Sequence, residues 1–259
     1  MKERMEKVRK NLNHSPVYMC LYGSQNYQMD AHTDEYQSDF DYKAIIVPTL
    51  KDLVFNSKPI SKVVEVENGQ VDVKDVRSFF ETLSKCNPAF VECMMTPHWI
   101  GDSEFETART LMPAFVWELR ESFIKACYGM MLEKFSALQH PYPSVRERLE
   151  RFHYDPKQLH HMLRLYKMME DFQETGKVVL VPSNKDYLLE VKLGCYSVEE
   201  AVHVAQEYKE KGANLRDFMT KEYLQQCHTY DAVHEMKQFG LKYLEKKIRE
   251  EVIKNEKTF

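Results

Sequence analysis

The sequence predicts an α+β protein, with strands and helices mixed over residues 1–104 and an all-helical part over residues 105–259. Three observations predict it. Apolar segments bounded by turn residues, "VYMCLYG" at 17–23 and "AIIVP" at 44–48, are confined to the part before Gly101. Asn68-Gly69 stands between two alternating segments, the strongest short-range hairpin signal. After Gly101 strand signals nearly vanish and long amphipathic stretches take over.

In chain order, the charged segment 2–13 can form a short helix, and Val17 to Gly23 reads as a buried strand ended by a glycine. A strand running into Gly23-Ser24 suggests a tight turn opening a helix. The next strand, "DFDYKAIIVP", is polar at its start and closed by Pro48. Strands near 62–67 and 70–74 form the hairpin. From Asp75, a suitable N-cap, Val76, Phe79, Phe80 and Leu83 recur at helical spacing until Asn87-Pro88 breaks the pattern, and a second helix runs through Phe90, Val91 and Met94. Helices are then expected at about 105–138, 144–152, 156–174, 197–210 and 229–256, with "KVVLVP" at 177–182 an extended connection.

Composition narrows the function classes. The chain is 43% hydrophobic and 29% charged, and no apolar run approaches the roughly 20 residues of a membrane span. "MKERMEKVRKNLNHS" is basic but has no apolar core of a signal peptide, so a cytoplasmic protein is expected. Cys20, Cys86, Cys93, Cys127, Cys195 and Cys227 form no CxxC pair and read as reduced structural thiols. A net charge of −4 means that any nucleic-acid contact must be local.

The chemistry concentrates around "SDFDYKAII". Alternation points Asp39 and Asp41 to one face and Phe40 and Tyr42 to the other. Two adjacent carboxylates repel, so the pair calls for a cation or an exposed turn. Asp72, between Val71 and Val73, can reach the same side if its strand is a neighbour; Asp75 and Glu65 are the other carboxylates nearby. Three carboxylates are hard ligands for Mg²⁺, and two such ions support in-line phosphoryl displacement. Gly23 permits close backbone approach. Ser24 either holds a phosphate at a helix N-terminus or caps that helix, two roles that are compatible.

"LYGSQNY" followed by "SDFDYKAIIVP" resembles the Gly-Ser … Asp-x-Asp signature of the DNA polymerase β-like nucleotidyltransferase superfamily. It is similar above all to the predicted-nucleotidyltransferase branch associated with bacterial and phage RNA repair. The positions carrying the likeness are Gly23, Ser24, Tyr27, Ser38, Asp39, Asp41, Phe79, Asn87, Pro88 and Glu92, then Lys157, His161, Arg164, Thr175 and Gly176. The likeness spans most of 17–205. It departs in a long loop between Ser24 and Asp39 and in Gln28, where a glycine often follows the tyrosine.

The resemblance implies a nucleotidyltransferase palm, a mixed sheet with flanking helices, over 1–104 and a helical domain completing the nucleotide and acceptor cleft over 105–259. It implies transfer of a nucleoside monophosphate from an NTP, ATP foremost, to an acceptor hydroxyl, with an RNA 3′ end as acceptor and pyrophosphate released. Asp39, Asp41 and Asp72 would be catalytic and hold two Mg²⁺ ions, or Mn²⁺, with Asp72 helping to deprotonate the acceptor. Gly23 and Ser24 would hold the triphosphate. The rivals are nucleotidylylation of a protein or small molecule, and a non-catalytic NTP-binding module.

In the helical half, Lys157, His161 and Arg164 share one helix face and either grip a triphosphate or RNA backbone or belong to an ordinary salt-bridged helix pair. Residues 144–167 carry a local excess of three positive charges. Tyr27 either stacks on a base or covers the turn. His153, His160 and His161 do not read as a metal site, because adjacent helix positions face different sides.

Overall fold

A computed structural model describes residues 1–32, 37–226 and 229–256. The elements in order are α1 (Lys2–Lys10), β1 (Tyr18–Tyr22), β2 (Phe40–Ile46), α2 (Leu50–Val54), β3 (Ser61–Val66), β4 (Gly69–Asp75), α3 (Val76–Ser84), α4 (Pro88–Met95) and β5 (Trp99–Gly101). There follow α5 (Phe105–Glu118), α6 (Arg120–Gln139), a 3₁₀ turn at Pro143–Val145, α7 (Arg146–Phe152), α8 (Pro156–Thr175), α9 (Lys185–Lys192), α10 (Val198–Leu224) and α11 (Asp231–Glu256). This is the predicted α+β class: a mixed sheet with flanking helices, then a helical region.

The chain forms two compact units. One comprises Met1–Asn26, Gln37–Glu118 and Thr229–Phe259; the other comprises Tyr27–Tyr36 and Leu119–His228. They do not follow a cut at 104/105. Helices α5 and α11 belong with the sheet because Phe239 of α11 packs edge-on against Phe80 (6.0 Å between centroids) and Phe105 (5.7 Å), and Tyr243 donates to Asp102 (2.7 Å). The Glu118 carboxylate, at the end of α5, accepts from the first free N–H groups of α11, on Ala232 (3.0 Å) and Val233 (2.9 Å).

The first unit is built on a five-stranded sheet in the order β3-β4-β2-β1-β5. Strands β2 and β4 are parallel and the other pairs antiparallel. One face carries Met19, Leu21, Tyr42, Ala44, Ile46, Val71, Val73 and Ile100, closed by Met5 and Val8 of α1. Alternation therefore sends Cys20, Tyr22, Asp41, Lys43 and Asp72 to the opposite face. There α4 packs, and Tyr18 donates to the Cys93 carbonyl at 2.6 Å.

Several expected elements shift for physical reasons. Asp75 caps α3 as predicted, accepting from the Arg77 N–H at 2.8 Å, and Asn87-Pro88 breaks the chain by capping α4. No α-helix opens at Gly23-Ser24; residues 24–28 are successive turns, with Asn26 N–H donating to the Gly23 carbonyl at 3.0 Å. The single helix expected at 105–138 is two, divided at Leu119. The segment 177–182 joins no sheet, as expected, but it bends at 177, 180 and 181 rather than running as a plain extended connection.

The second unit packs α6, α8, α9 and α10. Helix α10 runs well past the expected 210, because Gly212 is a point of contact rather than a break: a Cβ there would lie 2.9 Å from the Met131 methyl of α6. Cys20, Cys86, Cys93 and Cys127 are buried and Cys195 is exposed, none of them in a disulfide, while Cys227 lies outside the described residues. Among the described residues no helix is long and apolar enough to cross a membrane.

Candidate active site

Two of the expected site segments meet at the end of the antiparallel pair β1–β2. The register places Tyr22 opposite Asp41, so the chain leaving β1 turns directly over the second aspartate. Gly23 takes φ +79°, and a Cβ on it would lie 2.9 Å from Asp41 Oδ2 and 3.4 Å from Asp41 Cβ. Any side chain would therefore pay for both an unfavourable backbone and a displaced carboxylate. Asn26 fixes the turn: its Oδ1 accepts from the buried Thr96 hydroxyl at 2.5 Å, just beyond α4. Ser24 is partly exposed in this turn, Asp39 is exposed immediately before β2, and Asp41 is partly buried.

The parallel pairing of β2 with β4 brings Asp72 opposite Lys43, on the face that Asp41 shares. The placement is as expected but the company is not. Lys43 Nζ lies 2.7 Å from Asp72 Oδ2, and Lys74 Nζ lies 3.1 Å from Oδ1. The Lys43 ammonium also faces the rings of Tyr22 (4.6 Å) and Phe90 (5.0 Å). Burial alone pushes Lys43 down, but Cys93, Tyr22 and Asp72 together outweigh it and the net shift is upward. Burial pushes the Cys93 thiol well up, so it is neutral near pH 7 and Asp72 is the anion that matters. Lys43 and Lys74 are the residues that sequence reasoning did not single out. Lys43 had one signal: a lysine two places after Asp41, inside an apolar strand.

The competing third carboxylates have other duties or positions. Asp75 is buried, caps α3 and holds the Arg77 guanidinium at 2.7 Å. Glu65 is exposed on β3. Among the described residues no group of three or more His, Cys, Asp or Glu side chains is placed to hold a metal ion. Judged by donor chemistry, Asp39 and Asp41 suit a hard cation, with Gly23 leaving room against the Asp41 carboxylate. Asp72 does not, because an ammonium stands against each of its oxygens.

The remaining expected residues belong to the second unit. Tyr27 is buried, and the guanidinium of Arg164, itself 6% exposed, sits 4.0 Å from its ring centroid. The same strand of chain is held by Lys192, which donates to the Met29 carbonyl at 2.9 Å, and by Lys185, which donates to Gln28 Oε1 at 3.2 Å. Tyr27 thus covers the turn, and Arg164 holds it there. Lys157 is exposed at the start of α8. His161 is driven well below its ordinary value by burial and by the charges of His160 and Arg164. His160 is pushed down to about 3 by burial and donates Nδ1–H to the Leu188 carbonyl at 2.8 Å. Both imidazoles are neutral near pH 7.

The basic stretch 144–167 is extensively ion-paired. Arg146 bonds Glu150 at 2.8 Å, Arg148 bonds Asp155 at 2.8 Å, and Lys167 bonds Glu170 and Asp171, each at 2.9 Å. Thr175 and Gly176 close α8.

No family model matches the sequence, and no curated protein does. Among solved structures, the chain is similar to the crystal structure of a nucleotidyltransferase-like protein from Exiguobacterium sibiricum 255-15, at 12% identity and a TM-score of 0.35, over 86% of this chain and 77% of that one.

Proposed function

We propose that the protein is a nucleotidyltransferase that moves a nucleoside monophosphate from an NTP, ATP foremost, to an acceptor hydroxyl and releases pyrophosphate. The observation that carries the reading is the seating of Gly23 against the Asp41 carboxylate. It brings together the Gly-Ser and Asp-x-Asp halves of the sequence signature, carried by the consecutive strands β1 and β2.

Asp39 and Asp41 would hold Mg²⁺, or Mn²⁺, whose charge offsets that of the triphosphate and developing pyrophosphate. The Ser24 hydroxyl and the N–H groups of the 24–28 turn offer donors to phosphate oxygens; with no helix there, these local donors replace a helix dipole. Asn26 and Thr96 keep that turn fixed, so the phosphate-binding donors are positioned before the nucleotide arrives. Lys157, exposed at the start of α8, is the cation for which the sequence resemblance suggests a nucleotide contact.

An RNA 3′ end is the acceptor that the sequence resemblance suggests. A protein or small-molecule acceptor is the second reading, favoured by the ion pairing of Arg146, Arg148 and Lys167. Incubation with each labelled NTP, Mg²⁺ and either total RNA or cell lysate tests the activity, and the molecule that becomes labelled identifies the acceptor. For RNA, fluorescence anisotropy between about 50 and 300 mM KCl should show affinity falling with a log–log slope of about −0.7 for each phosphate neutralised. No labelled product with any NTP would refute the transferase reading. Absence of RNA binding alongside a labelled protein or metabolite would select the second acceptor class.

A further inference from the structure

We infer that Lys43 and Lys74 reserve the Asp72 carboxylate, so that the site takes one divalent cation on Asp39 and Asp41, and the two ammonium groups supply the charge of a second. This rests on the reading of Asp39 and Asp41 as the metal-binding pair.

The sheet register makes the arrangement obligatory rather than incidental. Lys43 lies directly opposite Asp72 on neighbouring parallel strands and two residues beyond Asp41, so the three side chains share one face. An ammonium stands at each oxygen of Asp72, at 2.7 Å and 3.1 Å. Lys74 is itself anchored, donating to the Ser61 hydroxyl at 2.6 Å. The Lys43 side chain is 10% exposed and Asp72 24%, and the flanking Tyr22 and Phe90 rings favour a cation in that position. A metal ion could use Asp72 only by expelling an enclosed ammonium whose other neighbours are aromatic faces, or by approaching two positive charges directly.

The charge count is consistent with this substitution. Three carboxylates with two divalent ions carry one net positive charge. The three carboxylates here, with Lys43, Lys74 and one divalent ion, carry the same. A second ion would raise the total to three positive charges on one sheet face.

The test counts metal ions. Full-length protein is saturated with Mn²⁺ and the non-transferable nucleotide α,β-methylene ATP, unbound ligand is removed, and retained Mn²⁺ is measured by electron paramagnetic resonance after acid release. One ion per chain is expected, rising to two in Lys43→Met/Lys74→Met, whose fold is checked by circular dichroism. Two ions in the unmodified chain, or one in the folded double variant, would overturn the inference while leaving the metal-binding reading intact. Asp72→Asn provides a second arm that does not depend on the double variant folding. It should still retain one ion at saturation, and loss of that ion would place Asp72 among the ligands and overturn the inference. No Mn²⁺ in the unmodified chain would overturn the metal-binding reading itself, and this inference with it.

Discussion

Replacing Gly23 with alanine perturbs two things at once, and their sizes can be separated. At φ +79° an L-residue costs about 1–2 kcal/mol relative to glycine. The added Cβ would lie 2.9 Å from Asp41 Oδ2, whereas an ordinary non-bonded contact involving carbon is nearer ~3.5 Å, so the carboxylate withdraws by about 0.6 Å. Because a carboxylate tip moves easily, that shift adds little to the stability cost. Its effect on the site is larger, since a catalytic constellation tolerates only about 0.5 Å of error and 1 Å costs about 100-fold in rate. Gly23→Ala should therefore lose about 1–2 kcal/mol in urea unfolding and about 10- to 100-fold in pyrophosphate release, with weakened Mn²⁺ binding. Gly23→Asn carries the same Cβ but tolerates a left-handed backbone, so it should recover most of the stability and little of the activity. Normal turnover and Mn²⁺ affinity in Gly23→Ala would refute the idea that this glycine makes room for Asp41.

Asp39→Asn or Asp41→Asn should abolish Mn²⁺ retention and transfer, with a melting temperature unchanged or slightly raised because the two carboxylates no longer repel; full pyrophosphate release in either variant would contradict the assignment. Arg164→Ala should destabilise the protein by about 2 kcal/mol, the scale of a desolvated cation on an aromatic face, whereas Lys157→Ala should change stability by less than about 0.5 kcal/mol and raise the KM for NTP. Equal unfolding midpoints for the two would show that Arg164 is not a packing residue. The neutral imidazoles set an acid limit: His160 falls to about 3 and His161 also falls, so below the unfolded value near 6.5 the unfolded chain binds more protons. Stability from His160 is complete above about pH 6.5 and is lost as pH falls toward 3, at up to about 1.4 kcal/mol per pH unit, and His161 acts in the same direction. His160→Asn, which keeps a donor for the Leu188 carbonyl, should flatten the slope in urea titrations at pH 4–7, and an unaltered slope would show that His160 is not its source.

The strands of the sheet were legible because their cues are local. Alternation around Asp41, Asn68-Gly69 and the Asp75 cap each specify neighbouring backbone without reference to distant chain. Sequence reasoning placed the hairpin strands within about a residue of those observed. What it could not see depends on register and on burial from several sides. The Lys43–Asp72 pair exists because β2 and β4 are parallel with Phe40 opposite Gly69, and no local pattern encodes that offset. Arg164 looked like one member of a polar stripe on α8, yet Leu163 and Leu165 beside it are buried too, so the helix has little exposed surface at that level. Strand β5 has three residues, too few for alternation to register, and the helix expected to stop near 210 runs on through Gly212, which is a packing notch.

The sheet unit draws on three separate stretches of chain, the last of them containing α11. During synthesis this reverses the customary order in which N-terminal structure is finished first. Strands β1 to β5 emerge early, but the groups that cover Phe80 and Phe105 and satisfy Asp102 and Glu118 arrive only after α6 to α10 have been made. The helical unit has all of its residues while the sheet is still waiting for its last helix. A half-made chain therefore presents the carboxylate face on an incomplete scaffold, and stops introduced anywhere between residues 119 and 230 should yield an unfinished sheet unit rather than one that folds alone.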